Sequence, residues 1–234
     1  MKKIGLIGGL SWQSTVDYYR IINEESNKRL GGAHTVESVT YSTDLPVKLN
    51  HVINNEMDRL AQEFIDITKS LEKAGAEVVL LCTNTMHIVF DQIQKNVNVP
   101  MIHIIDATAK EIKKQGIDKV ALLGTTFTMT QPFIINKLKD EYGITPIVPK
   151  EEQMTEIMRV IEEELTFNIL KDSSREYFVN VIKELQAQGA QGAILGCTEI
   201  PMLIKQKDSP VPVFDTTAIH AIAAVDFALE DEGL

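Results

Sequence analysis

Cysteine and threonine side chains follow the apolar runs of this chain at the points where strands are expected to end. The clearest case is Gly196-Cys197-Thr198-Glu199, in which a thiol follows a glycine directly after an apolar stretch. A thiol between a strand and a helix lies near free backbone N–H groups and the positive helix end, which lower its pKa. We therefore predict that Cys197 is a reactive thiol; the alternative is a cysteine that only packs.

An internal repeat identifies the second candidate. Gapless alignment of the segment from Gly75 with the segment from Gly189 places Thr83 opposite Cys197 and Cys82 opposite Gly196. Successive residues of a strand point to opposite faces, so we expect Cys82 to be a small buried hydrophobic residue. Thr83 and Cys197 are then expected to project into a shared cleft if the two halves of the repeat face each other.

The repeat extends beyond this match. The segments that begin at Ile4 and Val99 recur, in the same order, at Val120 and Val211. Three matches in one order indicate duplication better than a chance likeness of strand–glycine–helix junctions. We predict two pseudo-symmetric α/β lobes, with the active site in the cleft between them. The first lobe comprises residues 1–104 plus 215–234, and the second comprises 105–214.

Hydrophobic periodicity supports this α/β fold class, because short runs of Ile, Val and Leu alternate with longer segments of helical period. Each run lacks the polar alternation of a half-exposed strand, so we expect buried parallel strands. The predicted strands are 3–8, 36–42, 77–82, 101–104, 119–123, 144–148, 192–196 and 211–214. The predicted helices are 14–30, 55–74, 86–95, 106–116, 130–142, 151–167, 173–188 and 216–231.

Hydroxyl and amide side chains cluster at the same strand–helix junctions. They supply neutral donors that could hold a carboxylate without Lys or Arg. The alternative role for Ser and Thr at such positions is helix capping, which does not exclude contact with a substrate. The predicted substrate-binding residues are Ser11, Asn84, Thr85, Thr125, Thr128 and Thr198.

Three further residues are possible auxiliary groups. Glu199 lies two residues after Cys197, where a carboxylate can accept the thiol proton or raise the thiol pKa. For His87, one turn after Thr83, a hydrogen-bonded structural role is the favoured interpretation. Asp44 is placed in a loop after the second strand, together with Lys48.

These motifs resemble those of the aspartate/glutamate racemase superfamily, which are cofactor-independent racemases with two α/β lobes. The resemblance covers the whole chain and rests on their order and spacing. The matching motifs are Ile7-Gly8-Gly9 with Ser11-Trp12, Thr83-Asn84-Thr85-Met86-His87, Gly124-Thr125 with Thr128, and Gly196-Cys197-Thr198-Glu199-Ile200-Pro201.

The resemblance implies that one residue from each lobe acts on one face of the substrate's α-carbon. The family has a cysteine where this chain has Thr83, and the chain most resembles a subgroup with threonine there, described as specific for L-aspartate and L-glutamate. It also implies a homodimer that uses neither pyridoxal phosphate nor metal. The loop at Asp44 departs from the family's Asp-Arg pair, and Thr166 takes the place of a family lysine.

Composition excludes several other classes of function. The formal net charge of −10 argues against nucleic acid and anionic membrane surfaces as partners. Apolar runs fall short of the roughly 20 residues of a membrane span, and we read the chain as cytoplasmic. Two cysteines are too few for a disulfide scaffold or for a zinc site made of cysteine alone.

The predicted function is therefore racemisation of an acidic amino acid by removal and return of its α-proton. Two alternatives remain open from the sequence. One is a cysteine-dependent decarboxylase or cis–trans isomerase of a dicarboxylate, as found in the same superfamily. The other is a non-catalytic protein that binds acidic amino acids.

Overall fold

The computed structural model describes residues 1–230, which form two compact α/β units. Of these residues, the first unit contains Met1–Ile104 together with 217–230, and the second contains Ile105–Thr216. The end of the last predicted helix, at residue 231, lies outside the described residues. Within residues 1–230, no helix is long and apolar enough to cross a bilayer.

A four-stranded parallel sheet organises the first unit, with strand order β2-β1-β3-β4. Its strands are β1 (Ile4–Gly8), β2 (Ser38–Ser42), β3 (Val78–Leu81) and β4 (Met101–Ile102). Its helices are α1 (Trp12–Leu30), α2 (Leu45–Ile53), α3 (Met57–Lys73) and α4 (Phe90–Gln94), and a 3₁₀ turn covers Thr85–Val89.

Helices cover both faces of this sheet. On one face, α3 buries an apolar stripe that includes Leu60, Phe64 and Leu71, which recur at the spacing of helical turns. The opposite face packs against α1 and against the last helix, α11 (Thr216–Leu229). The strands are buried on both faces, which explains why β1 and β3 are continuous apolar runs.

The second unit repeats this architecture with strand order β6-β5-β7-β8, again all parallel. Its strands are β5 (Lys119–Gly124), β6 (Thr145–Ile147), β7 (Gly192–Gly196) and β8 (Val213–Asp215). Its helices are α5 (Ile104–Lys114), α6 (Thr126–Thr130), α7 (Pro132–Asn136), α8 (Glu151–Glu163), α9 (Asp172–Ala187) and α10 (Ile200–Leu203). A core of buried side chains from α8, α9, β5 and β7 lies on one face of this sheet.

The α/β class with two parallel sheets is confirmed, and all eight predicted strands are present. The prediction that every strand is buried is wrong for β2 and β6, which are outer strands of their sheets. Residues Thr40–Ser42 of β2 and Thr145 of β6 are exposed. An outer strand has a neighbour on one side only, so part of its surface stays in contact with water.

The prediction of a loop around Asp44 and Lys48 is also wrong, because Leu45–Ile53 forms helix α2. Asp44 is its N-cap residue and Pro46 lies in its first turn, where a proline loses no helical hydrogen bond. Buried Lys48 and His51 both contact Glu63 of α3 and hold α2 against that helix. Lys48 is therefore engaged in packing two helices together.

Three predicted helices are interrupted. The segment predicted at 130–142 is broken at Gln131, which is extended, before Pro132 starts α7; π-helical turns follow at Lys137–Glu141. The segment predicted at 86–95 begins with 3₁₀ turns and becomes α-helical at Phe90. Helix α8 ends at Glu163, and a separate 3₁₀ turn covers Leu165–Phe167.

Candidate active site

Cys197 lies directly after β7, in a short connection to α10. The amide of Ile200 donates to the carbonyl of Cys197 at 3.2 Å, which turns the chain immediately after the strand. The side chain is only 8% exposed and packs with the apolar core of the second unit. Its neighbours in sequence are therefore the groups best placed to exchange a proton with it.

The carboxylate of Glu199 is the hydrogen-bond partner of the Cys197 thiol. Sγ of Cys197 donates to Oε2 of Glu199 at 2.9 Å, and the hydroxyl of Thr198 donates to the same oxygen at 2.7 Å. Burial raises the pKa of the Cys197 thiol well above its ordinary value, and the negative charge of Glu199 adds to that rise. The thiol is therefore protonated and is oriented toward a proton acceptor.

The prediction of a lowered pKa for the Cys197 thiol is thus wrong. Backbone N–H groups of Thr198 and Glu199 do act to lower the pKa of Cys197, as expected at a strand–helix junction. Their effect is outweighed by burial and by the carboxylate, and α10 itself has only four residues. A helix of one turn has a small dipole, so its positive end contributes little.

Thr125 and Thr128 form a helix cap at the end of β5, next to the Cys197 connection. The hydroxyl of Thr125 accepts from the amide of Thr128 at 3.2 Å, and the two hydroxyls are 3.0 Å apart. A methyl group added at Gly124 or at Gly196 would lie 2.9 Å from Cγ2 of Thr128. Glycine is required at both strand ends because the Thr128 methyl group fills the space between them.

Thr83 lies after β3, at the position that corresponds to Cys197. Its amide donates to the carbonyl of Leu81 at 2.8 Å, and its carbonyl accepts from Nδ1 of His87 at 2.7 Å. Thr83 and Asn84 are buried, and the 3₁₀ turn of residues 85–89 starts at Thr85. The structure thus brings Thr83, Asn84 and Thr85 together with His87 at the end of β3.

Cys82 points away from this group into the core of the first unit. It is completely buried and packs with Leu6 and Leu80. Burial raises the pKa of its thiol. Its environment is that of a small apolar side chain, as the alternation along β3 predicts.

The connection after β1 approaches other backbone segments closely. The amide of Gly9 donates to the hydroxyl of Thr15 at 2.8 Å. Gly9 has a φ of 75°, and a Cβ there would lie 2.0 Å from the carbonyl oxygen of Thr43. Ser11 also has a positive φ, of 82°, and its hydroxyl donates to the side chain of Gln13 at 3.0 Å. The loop that carries Ser11 is therefore tightly constrained.

Sequence reasoning missed Thr15, which packs over Gly8 in the first unit. A Cβ at Gly8 would lie 2.4 Å from Cγ2 of Thr15. Thr128 covers Gly124 in the second unit in the same way. The repeat contained this signal, since in both halves a threonine lies in the first helix after a glycine that ends a strand.

The remaining predicted residues are separated from these groups in sequence. Asp44 lies at the start of α2, and no hydrogen bond joins its side chain to the cap of that helix. The hydroxyl of Thr166 donates to the carbonyl of Ile161 at 2.8 Å. Within residues 1–230, no group of three or more His, Cys, Asp or Glu side chains could hold a metal ion.

Comparisons with known proteins agree on one family. Residues 7–224 match the profile described as Asp/Glu/hydantoin racemase. A putative Asp/Glu racemase from Yersinia pestis is 48% identical, with a TM-score of 0.93, and the alignment covers 98% of this chain and 100% of that chain. An aspartate racemase homologue from Pyrococcus horikoshii OT3 is 41% identical, with a TM-score of 0.89 and coverage of 97% and 99%.

One curated relative is described as an amino-acid racemase of broad specificity. The broad specificity amino-acid racemase RacX of Bacillus subtilis is 25% identical over 225 residues, which cover 95% of this chain and 96% of that protein. The similarity therefore spans both α/β units.

Proposed function

Because the chain belongs to the Asp/Glu/hydantoin racemase family and is an isomerase acting on amino acids, we propose that it racemises aspartate or glutamate without a cofactor. The observation that carries the proposal is the hydrogen bond from the Cys197 thiol to the Glu199 carboxylate. Removal of an α-proton requires a base whose own proton has somewhere to go, and this pair supplies both groups.

The proposed reaction begins with a proton shift inside the pair. Glu199 accepts the proton of Cys197, and the resulting thiolate takes the α-proton of the bound amino acid. The electron pair of the broken C–H bond stays on the substrate as a carbanion, which is delocalised into the α-carboxylate. A thiolate is a stronger nucleophile and base for this step than a thiol, which explains the need for a partner.

Thr83 is proposed to return a proton to the opposite face of the α-carbon. Its support is the internal repeat, which places Thr83 opposite Cys197, and its position two residues after the end of β3. A hydroxyl can donate or relay a proton but abstracts one poorly compared with a thiol, whose ordinary pKa is near 8.5. Cys197 therefore serves as the base, and Thr83 relays a proton from solvent water to the carbanion. Glu199 releases its proton to solvent, which neutralises the hydroxide left by that water and restores all three side chains.

Neutral donors at the strand ends are proposed to hold the substrate carboxylates. The first backbone N–H groups of the turns and short helices at these strand ends can donate hydrogen bonds to an anion. Hydroxyl and amide side chains lie in the same segments. The residues proposed for this role are Ser11, Asn84, Thr85, Thr125, Thr128 and Thr198. Thr125 and Thr128 also cap α6, and the two roles are compatible.

Incubation of the protein with L-aspartate or L-glutamate in deuterium oxide tests the proposal. We expect deuterium at the α-carbon together with formation of the D enantiomer and no release of carbon dioxide. Release of carbon dioxide would indicate a decarboxylase, and a geometric isomer formed from an unsaturated dicarboxylate would indicate a cis–trans isomerase. Stabilisation by the amino acid without exchange would indicate a binding protein.

A further inference from the structure

His87 connects two segments of the first unit through both of its ring nitrogens. Nδ1 lies 2.7 Å from the carbonyl oxygen of Thr83, and Nε2 lies 3.2 Å from the amide nitrogen of Ile104. The ring is 3% exposed. A single buried side chain thus links the end of β3 to the start of α5.

These two contacts determine the tautomer of the imidazole. A carbonyl oxygen can only accept, so Nδ1 must carry a proton and donate to Thr83. The amide of Ile104 can only donate, so Nε2 must be unprotonated. His87 is therefore neutral, and protonation of Nε2 would break the contact with Ile104.

Packing fixes the orientation of the ring in addition to these hydrogen bonds. Phe90 is stacked on it, with ring centroids 5.4 Å apart and an angle of 8° between the planes. The rings of His103 and His220 lie 4.7 Å and 5.7 Å away, at steep angles. A ring held in this way cannot rotate without disturbing its neighbours.

The second unit holds its strand end differently. The gapless alignment of the repeat places Pro201 opposite His87, and a proline side chain offers no hydrogen bond. The Cys197 carbonyl accepts the amide of Ile200 instead, within the same turn. The histidine contact is thus particular to the unit that carries the threonine.

We infer that His87 is a positioning residue for Thr83: it holds the Thr83 carbonyl and thereby fixes the direction in which the hydroxyl is presented to the substrate. The carbonyl direction is set by the same backbone angles that place the side chain, so releasing it frees the hydroxyl. This inference rests on the proposed role of Thr83 in returning a proton. Exchange of the α-proton at Cys197 needs no contribution from His87.

The experiment compares two rates in His87→Ala, His87→Asn and the wild type. The first is exchange of the α-proton of the L enantiomer for deuterium, and the second is net inversion to the D enantiomer. In His87→Ala we expect net inversion to fall about tenfold more than exchange does, since only proton return depends on Thr83. In His87→Asn the amide N–H can still donate to Thr83, and we expect partial recovery of inversion.

His220→Asn is the matched control, because His220 is a buried histidine of the same ring cluster but bonds Tyr18 and Ile102. We expect it to leave the ratio of inversion to exchange unchanged. An equal fall of both rates in His87→Ala, or the same selective fall in His220→Asn, would overturn the inference. Thr83→Ala is measured in parallel: if inversion is unaffected there, the proposed role of Thr83 itself fails.

Nitrogen-15 NMR of the imidazole rings tests the inference independently of activity. We expect His87 to carry its proton on Nδ1 at neutral pH and to leave Nε2 unprotonated. We also expect the methyl signal of Thr83 to shift in His87→Ala and to return toward its original position in His87→Asn. A proton on Nε2 of His87 would contradict the inference. A Thr83 methyl signal that is the same in the wild type and in both variants would also contradict it.

Discussion

Sγ of Cys197 and Oε2 of Glu199 are 2.9 Å apart, and both side chains are buried. Burial raises the pKa of the Cys197 thiol, and the negative charge of Glu199 adds to that rise. The thiol therefore keeps its proton and donates it in a hydrogen bond to the carboxylate oxygen. Moving the proton makes the thiolate without changing the charge of the pair.

Glu199→Gln separates the two effects of this carboxylate. We expect α-proton exchange to fall about a hundredfold, because the thiol loses its proton acceptor. The thiol pKa should fall, because the neighbouring negative charge that raises it is gone. Deuterium exchange measures the first effect, and the pH dependence of Cys197 alkylation measures the second. Glu152→Gln, at an exposed position in α8, is the control and should change neither.

Cys197→Ser and Cys82→Ala test which thiol is the base. We expect Cys197→Ser to lose at least about a hundredfold in exchange rate, since a hydroxyl ionises far less readily than a thiol. Cys82→Ala should retain exchange within a few-fold, because Cys82 packs among the core side chains of the first unit. Equal losses in the two variants, each confirmed as folded by circular dichroism, would contradict the assignment.

Thr83→Cys should make proton transfer on the two faces of the α-carbon more equal. A thiol at this position can abstract a proton as well as donate one, so we expect faster turnover of the D enantiomer. Exchange and inversion rates should also move closer together. The measurement is the initial rate of each process with each pure enantiomer. If the wild type already exchanges both enantiomers equally and the variant does the same, Thr83 is not the second proton-transfer group.

Activity should survive dialysis against a chelator, because a thiol and a carboxylate suffice for the proposed proton transfer. The dialysed protein should also lack the visible absorbance of a lysine–pyridoxal adduct. Activity that disappears on dialysis and returns with one added metal or with pyridoxal phosphate would contradict this prediction.

We predict that the protein loses stability in mild acid because His220 is buried in its neutral form. Burial lowers the pKa of His220 to about 4, although its contact with the Ile102 carbonyl acts in the opposite direction. Between about pH 6.5 and pH 4 the unfolded chain binds a proton here that the folded chain does not. The contribution to stability is complete above this range and falls by about 3 kcal/mol through it. Urea denaturation at several pH values should show a shallower decline for His220→Asn, and equal slopes would contradict the prediction.

The sequence predicted the sheets well because buried parallel strands leave a simple signal. The apolar runs at Ile4, Val78 and Val120 bury both faces, so their hydrophobicity alone identifies them. The helix at Leu45–Ile53 left a misleading signal, since Pro46 follows directly after Asp44 and Leu45. The same proline is compatible with a first helical turn, and only contacts with α3 decide between a loop and a helix.

The sequence predicted that Thr83 and Cys197 follow corresponding strands, but it did not predict the electrostatics at Cys197. The internal repeat placed Thr83 and Cys197 at corresponding strand ends, because the two halves of the chain can be aligned from the sequence alone. The pKa of Cys197 depends on how deeply the thiol is buried and on where the Glu199 carboxylate turns, and neither follows from their order in the chain. The expected helix start after Cys197 led to the prediction of a lowered thiol pKa. Desolvation of the thiol and the charge of Glu199 raise that pKa instead.

The outer strands of the two sheets differ in how they would meet another polypeptide chain. β6 carries Pro146, which has no N–H to offer a new neighbour, and β4 and β8 have only two and three residues. β2 runs for five residues without a proline or a charge, and its exposed end combines Thr40 and Tyr41, two good strand formers. If a crowded or partly unfolded sample aggregates by strand pairing, the first unit's β2 edge is where the added strand would attach.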